Sequence, residues 1–145
     1  MILVERTEAD VSELEKVPYK HGPDFTDWKG VVVRKPWGYE EEIHKGGALS
    51  MWRLNLWEGA ETSMHCHPNK RTVLIVERGN CILETLNSIY PLKPGDMVHI
   101  EMGAFHRTRT NEGCVLIEIE TPANKTDLAR LDDRYGRAGQ AYECV

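Results

Sequence analysis

Val73-Leu74-Ile75-Val76-Glu77-Arg78-Gly79-Asn80-Cys81-Ile82-Leu83-Glu84-Thr85 reads as two β-rich runs, Val73–Glu77 and Cys81–Thr85, joined by Arg78-Gly79-Asn80. β-Branched and other apolar residues suit a pleated strand, and glycine or asparagine accepts the positive φ that a tight turn needs. The same pattern extends in both directions. Val31–Arg34, Tyr39–Ile43 and Leu49–Leu56 come before it, and Met97–Ile100, His106–Thr110 and Cys114–Glu120 come after. Gly46-Gly47, Glu58-Gly59, Pro94-Gly95-Asp96 and Asn111-Glu112-Gly113 supply the intervening turns. Short strands separated by turn residues, without a strongly periodic helical stretch between them, predict an all-β antiparallel roll and disfavour an α/β crossover fold.

Outside these runs the chain is more polar. Thr7 is expected to open a short helix carrying Val11, Leu14 and Val17 on roughly one face. Pro18, Gly22 and Pro23 then break any helix, and Lys20-His21-Gly22-Pro23-Asp24 reads as loop. After Thr121-Pro122, Asp127–Leu131 is expected as one helical turn. The predicted organisation is an N-terminal extension over residues 1–30, one domain over 31–137 and a tail over 138–145.

The bulk properties narrow the partners. A chain of 145 residues with 41% apolar and 28% charged residues matches one globular core. No run approaches the ~20 apolar residues that span a bilayer, so no membrane partner is expected. Met1-Ile2-Leu3-Val4-Glu5-Arg6 turns charged too early for the apolar region of a secretory signal, which makes a cytoplasmic location the expectation. Net charge is −5 with basic residues interspersed among acidic ones, which argues against nucleic acid as a partner. Cys66, Cys81, Cys114 and Cys144 form no CxxC pair, so neither a zinc ribbon nor a thioredoxin-type motif is present. They are expected as free thiols, with Cys81 and Cys114 as small core fillers.

Chemistry concentrates in Gly59-Ala60-Glu61-Thr62-Ser63-Met64-His65-Cys66-His67 and Gly103-Ala104-Phe105-His106. Side chains alternate along a strand, so His65 and His67 point one way and Cys66 the other. His106 on a neighbouring strand would complete a three-nitrogen face for one divalent metal ion, Zn, Fe, Ni, Mn or Co, with coordination positions left for water or substrate.

These spacings resemble the cupin superfamily. Gly59, His65, His67 and Gly79 match its first motif, with Thr72 where a glutamate usually stands, and Gly95, Gly103 and His106 match its second, with Glu101 replacing a proline. The resemblance implies a double-stranded β-helix, the cupin jelly roll. Two further segments are similar to the type II mannose-6-phosphate isomerase family, whose cupin is commonly the C-terminal half of a bifunctional enzyme with a mannose-1-phosphate guanylyltransferase. Lys35-Pro36-Trp37-Gly38-Tyr39 resembles its opening [RK]PWGY, and Asp127-Leu128-Ala129-Arg130-Leu131-Asp132-Asp133-Arg134-Tyr135-Gly136-Arg137 resembles its closing D-[IL]-x-R-x-x-D-x-Y-G-R. The chain departs from that family in having His65-Cys66-His67 for Gln-x-His.

The resemblance implies a metal-dependent isomerase acting on a phosphorylated or nucleotide-linked sugar in surface-polysaccharide biosynthesis, and a homodimer. Neutral Thr72 keeps open a three-histidine Fe(II) dioxygenase, and a non-catalytic sugar-binding module is a third reading. Isomerisation needs a base, for which Glu101, His99 and Glu61 are the candidates. A sugar phosphate needs cations, for which Arg53, Arg137 and Lys35 are the candidates. Arg107 and Arg109 have opposite parity to His106 and are expected to face outward in ion pairs.

Overall fold

Alternation along Leu49–Leu56 shows how the chain is layered: Ser50, Trp52, Leu54 and Leu56 are buried, while Met51, Arg53 and Asn55 lie half-exposed on the other face. The computed structural model describes residues 1–19, 32–46 and 48–138. Its elements are β1 (Ile2–Val4), α1 (Glu8–Lys16), β2 (Val32–Lys35), β3 (Gly38–Gly46), β4 (Leu49–Leu56), β5 (Met64–Cys66), β6 (Arg71–Arg78), β7 (Cys81–Thr85), β8 (Ile89–Leu92), β9 (Met97–Ile100), β10 (His106–Arg109), β11 (Cys114–Thr121) and β12 (Ala129–Asp132). They form a seven-stranded sheet, β1-β9-β6-β11-β4-β3-β2, facing a five-stranded sheet, β12-β5-β10-β7-β8. Only the β1–β9 pairing among these ladders is parallel. The expected two-sheet antiparallel roll is therefore present.

Register divides the interior into two ends. On β4 and β11, Leu56 lies opposite Cys114 and Leu54 opposite Leu116, whereas Trp52 faces Glu118 and Ser50 faces Glu120. On β6, Val76 pairs with Leu116 and Thr72 with Glu120. The apolar end holds Leu54, Leu56, Leu74, Val76, Leu83, Leu92, Val98 and Leu116 in one core cluster. Each such side chain contributes about 1.5–3 kcal/mol on full burial, which is what closes the two sheets on each other. The polar end holds Glu40, Glu42, Ser50, Thr72, Glu118 and Glu120, all buried.

Several elements differ from the sequence-based expectation. The helix forms over Glu8–Lys16 with Thr7 as its N-cap and Asp10 closing a capping box. Val11 is exposed, and Leu14 and Val17 pack on Met64, Cys66, Phe105 and Ala129 behind the five-stranded sheet. Residues 127–131 do not form a helical turn: Ala129 and Arg130 pair with Cys66 and His65, so the unsatisfied edge of β5 draws this segment into strand β12. β8 was masked in the sequence by Pro91, a residue that an edge strand tolerates because no neighbour needs its N–H. β1 has only three residues and takes its identity from its partner β9. Cys66, Cys81 and Cys114 are buried free thiols, and burial pushes the Cys66 thiol pKa well up. The expected loop at Lys20–Asp24, the Gly46-Gly47 turn at its second glycine, the start of a strand at Val31 and Cys144 fall outside the described residues.

Candidate metal centre

His65 and His106 lie directly opposite each other across β5 and β10. Ring centroids are 4.6 Å apart for His65–His106, 5.0 Å for His65–His67 and 5.6 Å for His67–His106. One potential ligand nitrogen from each ring lies within 4.8 Å of the other two. Cys66 points to the opposite face, into the cluster under α1, as strand alternation requires.

Each ring is fixed through Nδ1 by a backbone carbonyl. His65 Nδ1–H donates to Ser63 O (2.8 Å), His67 Nδ1–H to Asp127 O (2.8 Å) and His106 Nδ1–H to Ala104 O (3.0 Å). A carbonyl can only accept, so each Nδ1 carries a proton, which leaves Nε2 as the nitrogen each ring can offer to a metal. Three imidazoles held through Nδ1 offer the donor set of a divalent transition metal, with outer-shell carbonyls of the kind that orient ligating histidines. The residues fit such an ion. Because none of the three is anionic, an ion held here keeps its full charge and favours anionic ligands at its open positions.

A cavity of about 20 Å³, room for about one water, adjoins His65 and is lined also by Ser63, Lys35, Trp37, Glu40, Glu118, Arg130 and Arg137, so a sugar could enter only if these side chains moved apart. Arg130 Nε donates to Ser63 Oγ (3.1 Å), linking the closing segment to the residue that orients His65. Arg137 grips Asp133 through two bonds of 2.9 Å. Burial pushes the Asp133 carboxyl up, but the Arg137 hydrogen bonds outweigh it and hold that carboxyl below its usual range. Lys35 Nζ stands 3.6 Å from Glu40, which also pairs with Lys125. Behind this lies a second buried group, in which Glu120 pairs with Lys70 and accepts from Ser50 Oγ at 2.6 Å, with Lys125 Nζ 4.0 Å over the Trp52 ring. A larger open depression around Pro91, Lys93 and Arg109 contains none of the three histidines.

The sequence-predicted residues divide between the two faces of the sheets. Lys35 and Arg137 line the pocket with His65. Arg53 does not, because even-numbered residues of β4 are the ones that face inward; it pairs with Glu41 and Glu77 on the outer face. His99 lies between the buried Val98 and Ile100 and therefore points away from the core. Glu101 is exposed and accepts the Arg6 N–H at 2.8 Å. Glu61 is half-buried, its backbone pairs with that of Arg109 in an isolated antiparallel β-bridge, and it lies outside the pocket. Arg107 and Arg109 pair outward with Glu84, as expected. Glu118 and Arg130, not singled out from sequence, do line the pocket. The signal for Glu118 was its shared parity with Leu116 and Glu120 in β11, and for Arg130 its place in the closing segment.

Residues 52–120 match the family model of the cupin domain. L-Ectoine synthase from Halomonas elongata is 30% identical over 99 residues, spanning 66% of this chain and 72% of that protein. Among solved structures, a RmlC-like cupin from Shewanella frigidimarina superposes with a TM-score of 0.60 at 20% identity, over 72% of this chain and 93% of that one. A sugar phosphate isomerase of the cupin superfamily from Silicibacter pomeroyi superposes with a TM-score of 0.55 at 16% identity, over 59% of each chain. The chain belongs to the cupin superfamily.

Proposed function

We propose that the protein is a metal-dependent isomerase of a phosphorylated or nucleotide-linked sugar, working in the cytoplasm in surface-polysaccharide biosynthesis. One observation carries this reading: the opening and closing segments that resemble the type II mannose-6-phosphate isomerase, nearly a hundred residues apart in the chain, both reach the pocket beside His65 through Lys35, Trp37, Arg130 and Arg137. His65, His67 and His106 would hold a divalent ion, which would supply an electrophile for a substrate's carbonyl oxygen. Lys35, Arg130 and Arg137 line the pocket, Lys35 beside Glu40 and Arg137 on Asp133, so an anionic substrate would have to take the place of those carboxylates; arginine forks suit phosphate oxygens. Glu118 takes the proton-transfer role, since it lines the pocket whereas Glu61, Glu101 and His99 do not.

The test is to load the protein with Zn(II), Mn(II), Co(II), Ni(II) or Fe(II) and follow mannose 6-phosphate and related hexose and heptose phosphates by NMR. Interconversion of an aldose and a ketose phosphate supports the reading; none with any metal overturns it, and Fe(II)-dependent oxygen uptake replaces it with oxygenase chemistry. The identity to L-ectoine synthase favours a second reading, formation of L-ectoine. L-Ectoine accumulating in a host that otherwise lacks it, only when this chain is expressed, would decide for that alternative.

We also propose a homodimer. Met51, Val73, Ile75, Ile117 and Ile119 are half-exposed on the outer face of the seven-stranded sheet, a group of apolar side chains that a second subunit would cover. Sedimentation equilibrium showing only a monomer at micromolar concentration overturns it.

A further inference from the structure

We propose that Asp10 is a positioning residue for the histidine cluster, and that β1 and α1 set where His106 stands relative to His65 and His67. The inference rests on the metal-site reading and adds to it an element far from the cluster in sequence. Asp10 is 3% exposed, unusual for a carboxylate in the first turn of a surface helix. Its Oδ2 accepts from the Thr7 N–H (2.7 Å) and the Thr7 hydroxyl (2.8 Å), which completes the capping box. Its Oδ1 has a different partner: it accepts the backbone N–H of Phe105 at 2.8 Å, one residue before His106.

That bond ends a series of holds on the loop carrying His106. Glu101 N–H donates to Val4 O at 2.9 Å, and Arg6 N–H donates to the Glu101 carboxylate at 2.8 Å. Val4, Arg6 and Asp10 thus grip the loop at its start and at its end. From the other side, Gly103 N–H donates to His67 O at 2.9 Å, so the loop is also tied to a ligand-bearing residue. The His106 ring takes its orientation from Ala104 O, a carbonyl of this same loop. Phe105 is fully buried against the face on which Leu14 and Val17 pack, so the loop and helix share one packing cluster. A shift of residues 104 and 105 would therefore carry both the His106 backbone and the carbonyl that aims its ring. Outer-shell partners of ligating histidines act on affinity in this way.

The test uses the full chain, with Co(II) as probe and its visible absorption as the readout of ligand geometry. Asp10→Ala, which removes the Phe105 acceptor, is expected to weaken Co(II) binding about tenfold or more and shift the visible band, while the metal-free protein keeps wild-type far-UV circular dichroism. Asp10→Asn keeps an Oδ1 acceptor for Phe105 but disturbs the cap, and Thr7→Val removes the hydroxyl that accepts from Asp10 N–H and Asn87 and donates to Asp10 Oδ2, while leaving the Asp10 carboxylate for Phe105. Both are expected to melt at lower temperature yet bind Co(II) within about threefold of wild type. The proposal is overturned if Asp10→Ala binds Co(II) as wild type does, or if Thr7→Val or Asp10→Asn weakens binding as much as Asp10→Ala. An Asp10→Ala protein that does not fold also overturns it, by making Asp10 a folding residue. If wild-type protein itself takes up no Co(II), the metal-site reading falls first, and this inference falls with it.

Discussion

At the scale of single residues, the hold on each histidine through Nδ1 is the feature from which most follows. Three Nδ1–H groups are spent on carbonyls, and one potential ligand nitrogen from each ring lies in one small volume. His106 is the member on β10, so His106→Ala leaves only the two histidines contributed by one segment. That variant is expected to lose most bound divalent metal by elemental analysis, with an unchanged β-type circular dichroism spectrum because apolar burial holds the fold. Stoichiometric metal in His106→Ala would falsify the cluster as a metal site. Thr72 makes the opposite case. Its hydroxyl is buried with no hydrogen-bond partner among the described residues, at a position opposite Glu120 in the ladder. A buried hydroxyl without a partner costs stability, so Thr72→Val is expected to raise stability by about 1 kcal/mol in urea unfolding and leave metal content unchanged.

At the scale of elements, the β6–β7 hairpin depends on backbone geometry at one position. Gly79 has φ +76°, and a Cβ there would stand 2.3 Å from Gly113 O and 3.0 Å from Cys114 Cα. The turn is pressed against the Asn111–Gly113 turn, where Thr110 Oγ1 donates to Asn80 O at 2.8 Å and accepts from Gly113 N–H at 3.1 Å. Neither contact is the end of a flexible side chain, so relief needs movement of both turns. Gly79→Ala is therefore expected to destabilise the protein by about 2–4 kcal/mol, measured by chemical denaturation, from left-handed strain plus the backbone clash. A loss under about 0.5 kcal/mol would mean that the two turns separate easily. At this scale sequence was informative about turns and long strands, because glycine, asparagine and β-branched runs act locally. It was uninformative about β1 and β12, whose strand form comes from partners β9 and β5.

At the scale of the whole molecule, the interior joins an apolar end to a charged end, and the charged end makes stability pH-dependent. Burial raises the Glu120 carboxyl, but Lys70 and Lys125 outweigh it and bring it below the usual carboxylate range. Asp133 is lowered by Arg137, and Glu84 by Arg109 and Arg107, in each case against the upward push of burial. A carboxyl lowered in the folded state contributes stability that is fully present above its unfolded value, about 4, and lost as pH falls through the folded value. The melting temperature is thus expected to hold on the neutral side and fall steeply below about pH 4. Glu84→Gln should melt lower than wild type at pH 7, with the gap closing toward pH 3. A gap that stays constant over that range would remove Glu84 from the account.

The local character of strand alternation explains what the sequence by itself determined: the roll, the common face of His65 and His67, the opposite face of Cys66, the outward set of Arg107 and Arg109, and the cap at Thr7. Parity gives relative sides of a strand but not which side becomes the interior. Arg53 is therefore a substrate-binding candidate by sequence, although the burial of Ser50, Trp52, Leu54 and Leu56 turns it outward. Only the tertiary structure decided that Lys35, Glu118, Arg130 and Arg137 meet beside His65, that Asp127 O orients His67, and that Asp10 reaches Phe105. Those contacts join positions 60 or 95 residues apart. Contacts at that range depend on which strands pair and in what register, which is set by how the whole chain closes its core.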